Sequence, residues 1–202
     1  LQSRLSRAEH LAMLGQVAAG IAHELRNPLV GIGSTASLLL DDFAGDDPRR
    51  TDIDVILKEA KRLDRIVNQI VEYARPRELA PVRFGLSDLI HEVVKTLDVP
   101  LQAKHLAIQA AVSPMADHVH ADRDQIKQVL LNVIHNAIDA SPVDGAAIDV
   151  TAFELSSQER PGIVVLVKDA GVGISSEVLP HVFEPFYTTG KRHGTGLGLA
   201  IC

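Results

Sequence analysis

Residues 17–29 read Val-Ala-Ala-Gly-Ile-Ala-His-Glu-Leu-Arg-Asn-Pro-Leu, and they lie inside a long apolar repeat. Apolar residues recur at helical spacing from residue 3 to about residue 41, which predicts one long amphipathic helix. His23 interrupts this apolar pattern, with a carboxylate at the next position, an amide four residues on and then a proline. A helix that only packs in a core has no need of this combination. The stretch therefore predicts a long helix that carries a reactive histidine.

The residues around His23 suit phosphoryl chemistry. A neutral imidazole is a good nucleophile near pH 7, and Glu24 can hydrogen-bond one ring nitrogen and make the other more nucleophilic. Asn27 lies one turn on, on the same helix face, where its amide can hold a water in line with a phosphorylated imidazole. Pro28 is expected to bend the helix and to expose His23. Taken alone, a kinked helix with a structural histidine explains this stretch equally well.

Composition restricts the class of protein. The chain has 202 residues, which suits one or two domains, and 46% of them are hydrophobic, which is ample for a core. The net charge of −6 argues against a nucleic-acid-binding module. The single cysteine, Cys202, excludes a disulfide framework and a multi-cysteine zinc site. No signal peptide and no apolar run of about 20 residues is visible, so we expect no direct membrane contact.

The first part of the chain is predicted to be a helical hairpin. A polar turn at residues 41–48 separates the first helix from a second amphipathic helix at about 49–75. One antiparallel hairpin buries little apolar surface, so we expect two copies to pair into a four-helix bundle, which makes the protein a homodimer. The predicted domains are a hairpin at 1–76, a linker at 77–81 that acts as a hinge, and a second domain at 82–202.

The second domain is predicted to be α+β, with helices on one face of a mixed sheet. Ser87 and Asp122 are expected to cap its two long helices. The predicted elements are a helix at 87–101, a strand at 106–112, a helix at 123–140, and strands at 148–155 and 162–168.

Three motifs in this domain point to a nucleotide. Asn132 and Asn136 are four residues apart on one helix face, and amide oxygens of this kind suit Mg²⁺ that bridges phosphates. Asp169 follows a strand, where its carboxylate can accept the amine of adenine, and two glycines follow it at Gly171 and Gly173. Residues 194–200 (Gly-Thr-Gly-Leu-Gly-Leu-Ala) alternate glycine before a helix start, which suits a phosphate cradle. Their spacing matches neither a dinucleotide fingerprint nor a P-loop.

These motifs, in this order, resemble the sensor histidine kinases of two-component signalling. The stretch around His23 is similar to the H-box of that family, and the later motifs are similar to its N, G1, F and G2 boxes. The resemblance implies an α + α/β fold: a helical hairpin that dimerises into a four-helix bundle, followed by an α+β sandwich that binds ATP. Because the catalytic domain of the family usually continues past the motif at 194–200, we expect this chain to be incomplete at its C-terminus. The chain also starts within a helical pattern, so we expect it to be part of a longer protein.

The resemblance also implies roles for individual residues. His23 would be the phosphoacceptor, Glu24 its activating partner and Asn27 the phosphatase residue. Asn136 would bind Mg²⁺, Asn132 would help at the phosphates, and Asp169 would bind adenine beside Gly171 and Gly173. Phe183 and Phe186 would anchor a lid at residues 188–193. The residues implied to line the triphosphate or the lid are Thr188, Thr189, Lys191, Gly194, Thr195, Gly196, Leu197 and Gly198.

The implied reaction is phosphoryl transfer from ATP to His23 and then to an aspartate of a separate response regulator, with phosphatase activity as a further function. The implied partners are a second copy of the chain, the receiver domain of the regulator and an upstream sensor domain, and the expected location is the cytoplasm. Two other interpretations remain open at this point. One is an ATP-hydrolysing machine of the gyrase or MutL type, although that class carries glutamate at the position of Asn132 and lacks residues 17–29. The other is a non-catalytic dimerisation and docking module.

Overall fold

The computed structural model describes residues 2–74, 78–155, 162–188 and 194–202. The chain divides into two compact units, Leu1–Arg77 and Glu78–Cys202. Among the described residues, no helix is both long enough and apolar enough to cross a membrane.

The first unit is a hairpin of two long helices, α1 (Gln2–Asp42) and α2 (Arg49–Ala74). The predicted hairpin is confirmed, and its helix limits lie within one residue of the expected ones. α1 continues through Pro28, so the proline does not interrupt the helix. Small and branched side chains fill the contact between the helices and allow a close approach. The buried residues of this contact are Ala22, Ala36, Ile53, Ala60 and Val67.

Charged side chains fix the turn of the hairpin. The Asp47 carboxylate accepts a hydrogen bond of 2.9 Å from the backbone N–H of Arg49 and so satisfies a free donor at the start of α2. Arg50 donates through Nη1 to the carbonyl oxygens of Leu40 and Phe43 at the end of α1. Both helix ends therefore find hydrogen-bond partners within a short connection.

The second unit combines short helices with two small sheets. Its elements in chain order are β1 (Pro81–Gly85), α3 (Leu86–Thr96), α4 (Asp98–Ala103), β2 (Ile108–Val112), β3 (His118–Asp122), α5 (Arg123–Ala140), β4 (Ile148–Leu155), β5 (Gly162–Lys168), a 3-10 turn (Leu179–His181) and α6 (Gly198–Ile201).

A mixed three-stranded sheet supports the main core. β4 is the central strand, parallel to β2 and antiparallel to β5, and Ile148 pairs with Ile108 at the start of the β2 ladder. Alternate residues of β4 are buried because successive side chains of a strand point to opposite faces. They pack with α3 and α5, so the helices cover one face of the sheet, as predicted. The fully buried centre of this core contains Leu89, Val93, Ile134, Ile148 and Val150.

The helix predicted at 87–101 is wrong as a single element. It is divided at Leu97 into α3 and α4. Pro100 explains the break, because it has no N–H to donate to the carbonyl of Thr96 and its ring crowds that carbonyl. The predicted Ser87 cap is also wrong, since α3 begins after Gly85. The Ser87 backbone N–H instead donates 2.7 Å to the carboxylate of Asp117, a partner that is distant in sequence.

The sequence also did not predict the antiparallel pair β1 and β3. Pro81, which was expected in the linker, is the first residue of β1 and pairs with Asp122. The Asp122 cap of α5 is confirmed, with the carboxylate 3.1 Å from the N–H of Gln125. Strand β2 begins at Ile108, two residues later than expected, while β4 and β5 have the predicted limits.

Candidate functional site

His23 is an exposed residue of α1, and its neighbours Glu24 and Asn27 are exposed as well. The four-residue spacing of His23 and Asn27 places them one above the other on the helix surface, as the sequence predicted. No hydrogen bond joins His23 to Glu24, and the imidazole has no hydrogen-bond partner among the described residues. Both ring nitrogens are therefore accessible to an incoming group.

A polar network across the hairpin lies beside His23. Arg26 donates through Nε to the Asp64 carboxylate at 3.4 Å and through Nη2 to the Asn68 amide oxygen. Asn68 donates in turn to the second carboxylate oxygen of Asp64 at 3.2 Å, which closes a ring of three side chains. The sequence analysis did not find this network, because Arg26 is 38 and 42 positions from its two partners along the chain. The signal that could have indicated the network is that Arg26, Asp64 and Asn68 are polar residues on the two helices of the predicted hairpin.

A groove runs along the same side of the hairpin as His23. Val30 and Ser37 follow His23 at intervals of seven residues, and both line this groove. The cavity has a volume of about 980 Å³. Its α1 wall is formed by Leu29, Val30, Gly33, Ser34, Ser37, Leu38 and Asp41, and its α2 wall by Leu57, Ala60, Lys61, Asp64 and Arg65.

In the second unit, two loops reach the same face of α5. Asn132, Asn136 and Ala140 are spaced by four residues, so they share one helix face about 12 Å long. The first glycine loop is residues 169–173 and the second is residues 194–198. The Asn132 amide donates 2.9 Å to the carbonyl oxygen of Gly198, which holds the second glycine loop at one end of the face. Gly171 lies against the other end, where a Cβ atom would come within 2.7 Å of the Ala140 carbonyl oxygen.

Asn136 lies between these two loop contacts. Its side chain is half-buried and has no hydrogen-bond partner among the described residues. A half-buried amide that lies between two glycine loops and has no protein partner there can bind a ligand through its oxygen or its N–H groups. Its oxygen is a ligand that Mg²⁺ accepts together with phosphate oxygens. Among the described residues, no group of three or more His, Cys, Asp or Glu side chains could hold a metal by itself.

Asp169 lies directly after β5 and forms the first part of its loop. One carboxylate oxygen accepts a hydrogen bond of 2.8 Å from the N–H of Gly171, which folds the loop back on itself. The carboxylate is exposed, and its other oxygen has no protein partner among the described residues. Gly173 has a φ of +73°, a conformation that glycine adopts without strain. The loop thus presents one free acceptor oxygen.

The second glycine loop is packed against residues 186–187. Gly196 has a φ of +67°, and a Cβ atom there would come within 2.5 Å of the Phe186 carbonyl carbon. The Phe186 N–H donates 2.9 Å to the Gly196 carbonyl, and Phe186 itself has a φ of +64°. The Leu197 side chain is fully buried and its N–H donates 3.3 Å to the Thr195 hydroxyl. Leu197 therefore anchors the loop, while the backbone follows a tightly fixed path.

Not every predicted site residue is brought into this arrangement. Thr188 and Gly194 are exposed at the two ends of the segment implied to be a lid. Thr189 and Lys191 lie outside the described residues. The Phe183 and Phe186 side chains are largely exposed, and most of the segment that they were expected to anchor, residues 189–193, lies outside the described residues. Phe186 contacts Gly196 through its backbone. Sequence patterns describe side chains, so this backbone contact could not be predicted.

Cys202 also lies beside the second glycine loop. Its thiol donates 3.2 Å to the Gly198 carbonyl, and the Asn132 amide lies 3.8 Å from its sulfur. Partial burial raises the pKa of the thiol, which keeps it protonated and uncharged near neutral pH. Asn132 and Cys202 thus share Gly198 as a backbone acceptor.

Comparisons with known proteins agree with this arrangement. The family described as Histidine kinase-, DNA gyrase B-, and HSP90-like ATPase matches residues 121–202, and the family described as His Kinase A (phospho-acceptor) domain matches residues 13–79. The solved catalytic domain of histidine kinase ThkA is 33% identical, with a TM-score of 0.53, and the match covers 61% of this chain and 77% of that domain. The chain belongs to the sensor histidine kinases, and the family resemblance and fold class inferred from the sequence are confirmed.

Longer relatives match both units. Sensor histidine kinase ZraS of Escherichia coli (strain K12) is 35% identical over 201 residues, which covers 100% of this chain and 42% of ZraS. Full-length ShkA, solved in complex with AMPPNP, is 26% identical with a TM-score of 0.73, and the match covers 92% of this chain and 39% of ShkA. ThkA in complex with the response regulator protein TrrA is 31% identical with a TM-score of 0.63, and the match covers 93% of this chain and 55% of that ThkA chain. The chain thus spans less than half the length of the curated relative ZraS.

Proposed function

We propose that this chain is the kinase core of a two-component sensor, which transfers the γ-phosphoryl group of ATP to His23 and then to an aspartate of a response regulator. The observation that carries the proposal is that one chain has both an exposed His23 on α1 and a half-buried Asn136 between two glycine loops. Neither side chain has a hydrogen-bond partner among the described residues. The first is suited to accept a phosphoryl group. The second is suited to hold a nucleotide.

In the proposed transfer, one ring nitrogen of neutral His23 forms the N–P bond. The bond between the γ-phosphorus and the bridging oxygen breaks, and ADP leaves with that electron pair. Glu24 holds the proton on the other ring nitrogen once the imidazole turns towards it, and so makes the attacking nitrogen more nucleophilic. The transferring group needs little covalent help, so catalysis consists mainly of positioning and charge neutralisation.

The face of α5 is the proposed nucleotide site. The free oxygen of Asp169 accepts the adenine amine, with Gly171 and Gly173 shaping the loop beside the ring. The backbone of Gly194, Thr195, Gly196, Leu197 and Gly198 lines the triphosphate, and Thr188, Thr189 and Lys191 belong to the lid. Asn132 ties the phosphate loop to α5. Asn136 would hold Mg²⁺ through its amide oxygen, and the bound metal would supply charge neutralisation at the phosphates.

The groove below His23 is the proposed docking surface for the response regulator. It lies on the side of α1 that carries His23, so a receiver domain seated there brings its aspartate close to the phosphoryl group. ThkA, which is similar to this chain, has been solved with the response regulator protein TrrA. Asn27 lies one turn from His23 and is proposed to orient the water that hydrolyses the phosphoryl group when phosphatase activity dominates.

The remaining proposals concern the whole protein. Residues 1–77 form the phosphoacceptor hairpin, residues 78–80 a hinge, and residues 81–202 the ATP-binding domain. Two hairpins pair in a homodimer, and an upstream sensor domain controls the approach of the ATP site to His23. We place the reaction in the cytoplasm, because ATP is supplied there.

The test is labelling of the full-length protein with γ-labelled ATP and Mg²⁺, followed by acid and alkali treatment. We expect a label that is lost in acid and retained in alkali, and that is absent from His23→Gln. His10→Gln is the matched control and should label normally. A label that persists in His23→Gln would exclude His23 as the acceptor. ATP binding without any label would favour the docking module, and steady phosphate release without label would favour the ATPase machine.

A further inference from the structure

Arg26 has an unusual setting for an exposed cation. Its Nε and Nη2 groups donate to Asp64 and Asn68 on α2, while its Nη1 group has no hydrogen-bond partner among the described residues. A guanidinium group carries five N–H donors in one plane. The contacts to α2 therefore hold the plane of the group in place and leave the Nη1 edge free.

The free edge belongs to a residue that is next to the phosphoacceptor. Arg26 follows His23 by three positions, and side chains at this spacing on a helix have Cβ atoms about 5–6 Å apart. Going round α1, Arg26 lies between the His23 side and the α2 side, because it bonds α2 directly. A guanidinium group held there can reach an oxygen atom of a group attached to the imidazole.

Stability alone does not account for the network. The Arg26 and Asp64 side chains are 44% and 41% exposed. Exposed ion pairs of this kind contribute only about 0–1 kcal/mol, because solvent screens them and ordering two side chains costs entropy. The consequence of the network is a fixed position for the Arg26 cation rather than a large gain in folding free energy.

We propose that Arg26 is a catalytic residue for phosphoryl transfer at His23, and that Asp64 and Asn68 are positioning residues that hold its guanidinium group. This inference rests on the proposed function. As the N–P bond forms and ADP leaves, the phosphoryl oxygens bring negative charge onto the His23 side chain. The Nη1 edge donates to those oxygens, and a preorganised donor of this kind stabilises the transition state without reorganisation.

The test compares rates of His23 labelling in the full-length protein across a matched set of variants. We expect Arg26→Ala to lower kcat about 100-fold, as for loss of one preorganised donor, with the KM for ATP changed less than about twofold. Arg26→Lys should recover part of the rate, because it keeps the charge but lacks the planar fork. The double variant Asp64→Asn, Asn68→Ala should lose about tenfold. Added methylguanidinium should accelerate Arg26→Ala selectively.

Arg49→Ala is the control, since it removes a different exposed ion pair of the same hairpin, 2.6 Å from Asp47. It should label at the rate of the unmodified protein. Arg26→Ala that labels normally, or that loses rate only in proportion to a lower melting temperature and without rescue by methylguanidinium, would overturn the role of Arg26. In that case label at His23 in the unmodified protein would leave the proposed function intact. Loss of label in the unmodified protein itself would overturn both.

Discussion

Gly196 is the position where the loop at residues 194–198 depends most on the absence of a side chain. An alanine there would meet the Phe186 backbone at 2.5 Å and would also adopt a φ of +67°. Backbone atoms cannot move aside cheaply, so we expect Gly196→Ala to separate the loop from residues 186–187. The predicted result is a loss of about 3 kcal/mol in unfolding free energy and at least about tenfold weaker ATP binding. Urea denaturation and calorimetric titration measure the two effects.

Gly173 provides the matched control for that substitution. Its φ is +73°, but no atom lies within 4 Å of a Cβ built there. Gly173→Ala therefore carries only the backbone strain, about 1–2 kcal/mol. If the two alanine variants lose the same stability and affinity, the contact between Gly196 and Phe186 does not shape the site.

Asp169 is expected to determine which nucleotide is bound. A carboxylate oxygen accepts a hydrogen bond from the amine of adenine but repels the carbonyl oxygen that guanine carries at the same ring position. Asp169→Asn keeps an oxygen for the Gly171 N–H and presents an amide donor outward. We predict at least about tenfold weaker ATP binding, about the size of one hydrogen bond to a charged group, with GTP binding unchanged or stronger. Displacement of a fluorescent nucleotide by ATP and by GTP measures this ratio, and equal losses for both would contradict the role.

The two asparagines of α5 illustrate what sequence could predict at single residues. Their four-residue spacing correctly placed Asn132 and Asn136 on one helix face. It could not show that Asn132 is already bonded to the Gly198 carbonyl while Asn136 has no partner. That difference depends on a loop 66 residues away. Helical periodicity carries information only within the helix.

Glu92 connects α3 to α5 and makes their contact sensitive to acid. Hydrogen bonds from Lys127 and Arg123 lower the pKa of Glu92 to about 2 from its ordinary value of 4.5. Because the folded pKa is the lower one, this contribution to stability is complete above pH 4.5 and is lost as the pH falls towards 2. We expect Glu92→Gln to be less stable than the unmodified protein at pH 7 and equally stable near pH 2. Urea denaturation of both proteins across this pH range tests the prediction. A stability difference between them that does not change with pH would contradict it.

Lys104 caps the C-terminal end of α5 from another element. Its ammonium group donates to the carbonyl oxygens of Ile138, Asp139 and Ser141 at 2.7–2.9 Å. These groups are left unbonded by the helix itself. We predict that Lys104→Met, which keeps the apolar stem, lowers the unfolding free energy by about 2 kcal/mol. Lys95→Met on the exposed surface of α3 is the control and should change stability by less than about 0.5 kcal/mol. Equal effects would show that charge, not capping, matters.

Among whole elements, β4 was predictable because buried and more open positions alternate along it. β5 was predictable because it is a short apolar run rich in β-branched residues. β1 and β3 were not, because a proline, an arginine and two histidines obscure their pattern. Their pairing is settled by α3 and α5, which cover Phe84 and Val119 on the inner side of the ladder. A two-stranded ladder is marginal alone, so such strands depend on tertiary packing that the local sequence does not contain.

The hairpin exposes an apolar stripe that one copy of the chain leaves uncovered. Leu25, Ile32 and Leu39 on α1 are exposed and seven residues apart. Ile56 and Leu63 on α2 are also exposed and have the same spacing. A repeat of seven is the spacing at which helices pack side by side in bundles. Leu25 is two positions from His23, or about 200° around the helix, so the stripe lies away from His23.

We therefore predict that a charge on this stripe separates the proposed homodimer without damaging the hairpin. Ile32 is 49% exposed in one copy, and Ile32→Glu would place a carboxylate against apolar side chains of the second copy. Sedimentation equilibrium should show a monomer, and circular dichroism should show unchanged helix content. Val30→Glu is the control, because Val30 is 61% exposed but lines the groove on the His23 side. That variant should remain dimeric and should instead slow transfer to the response regulator. A dimer that survives Ile32→Glu but not Val30→Glu would contradict this assignment. It would mean that the groove is the dimer interface and that the regulator binds the apolar stripe.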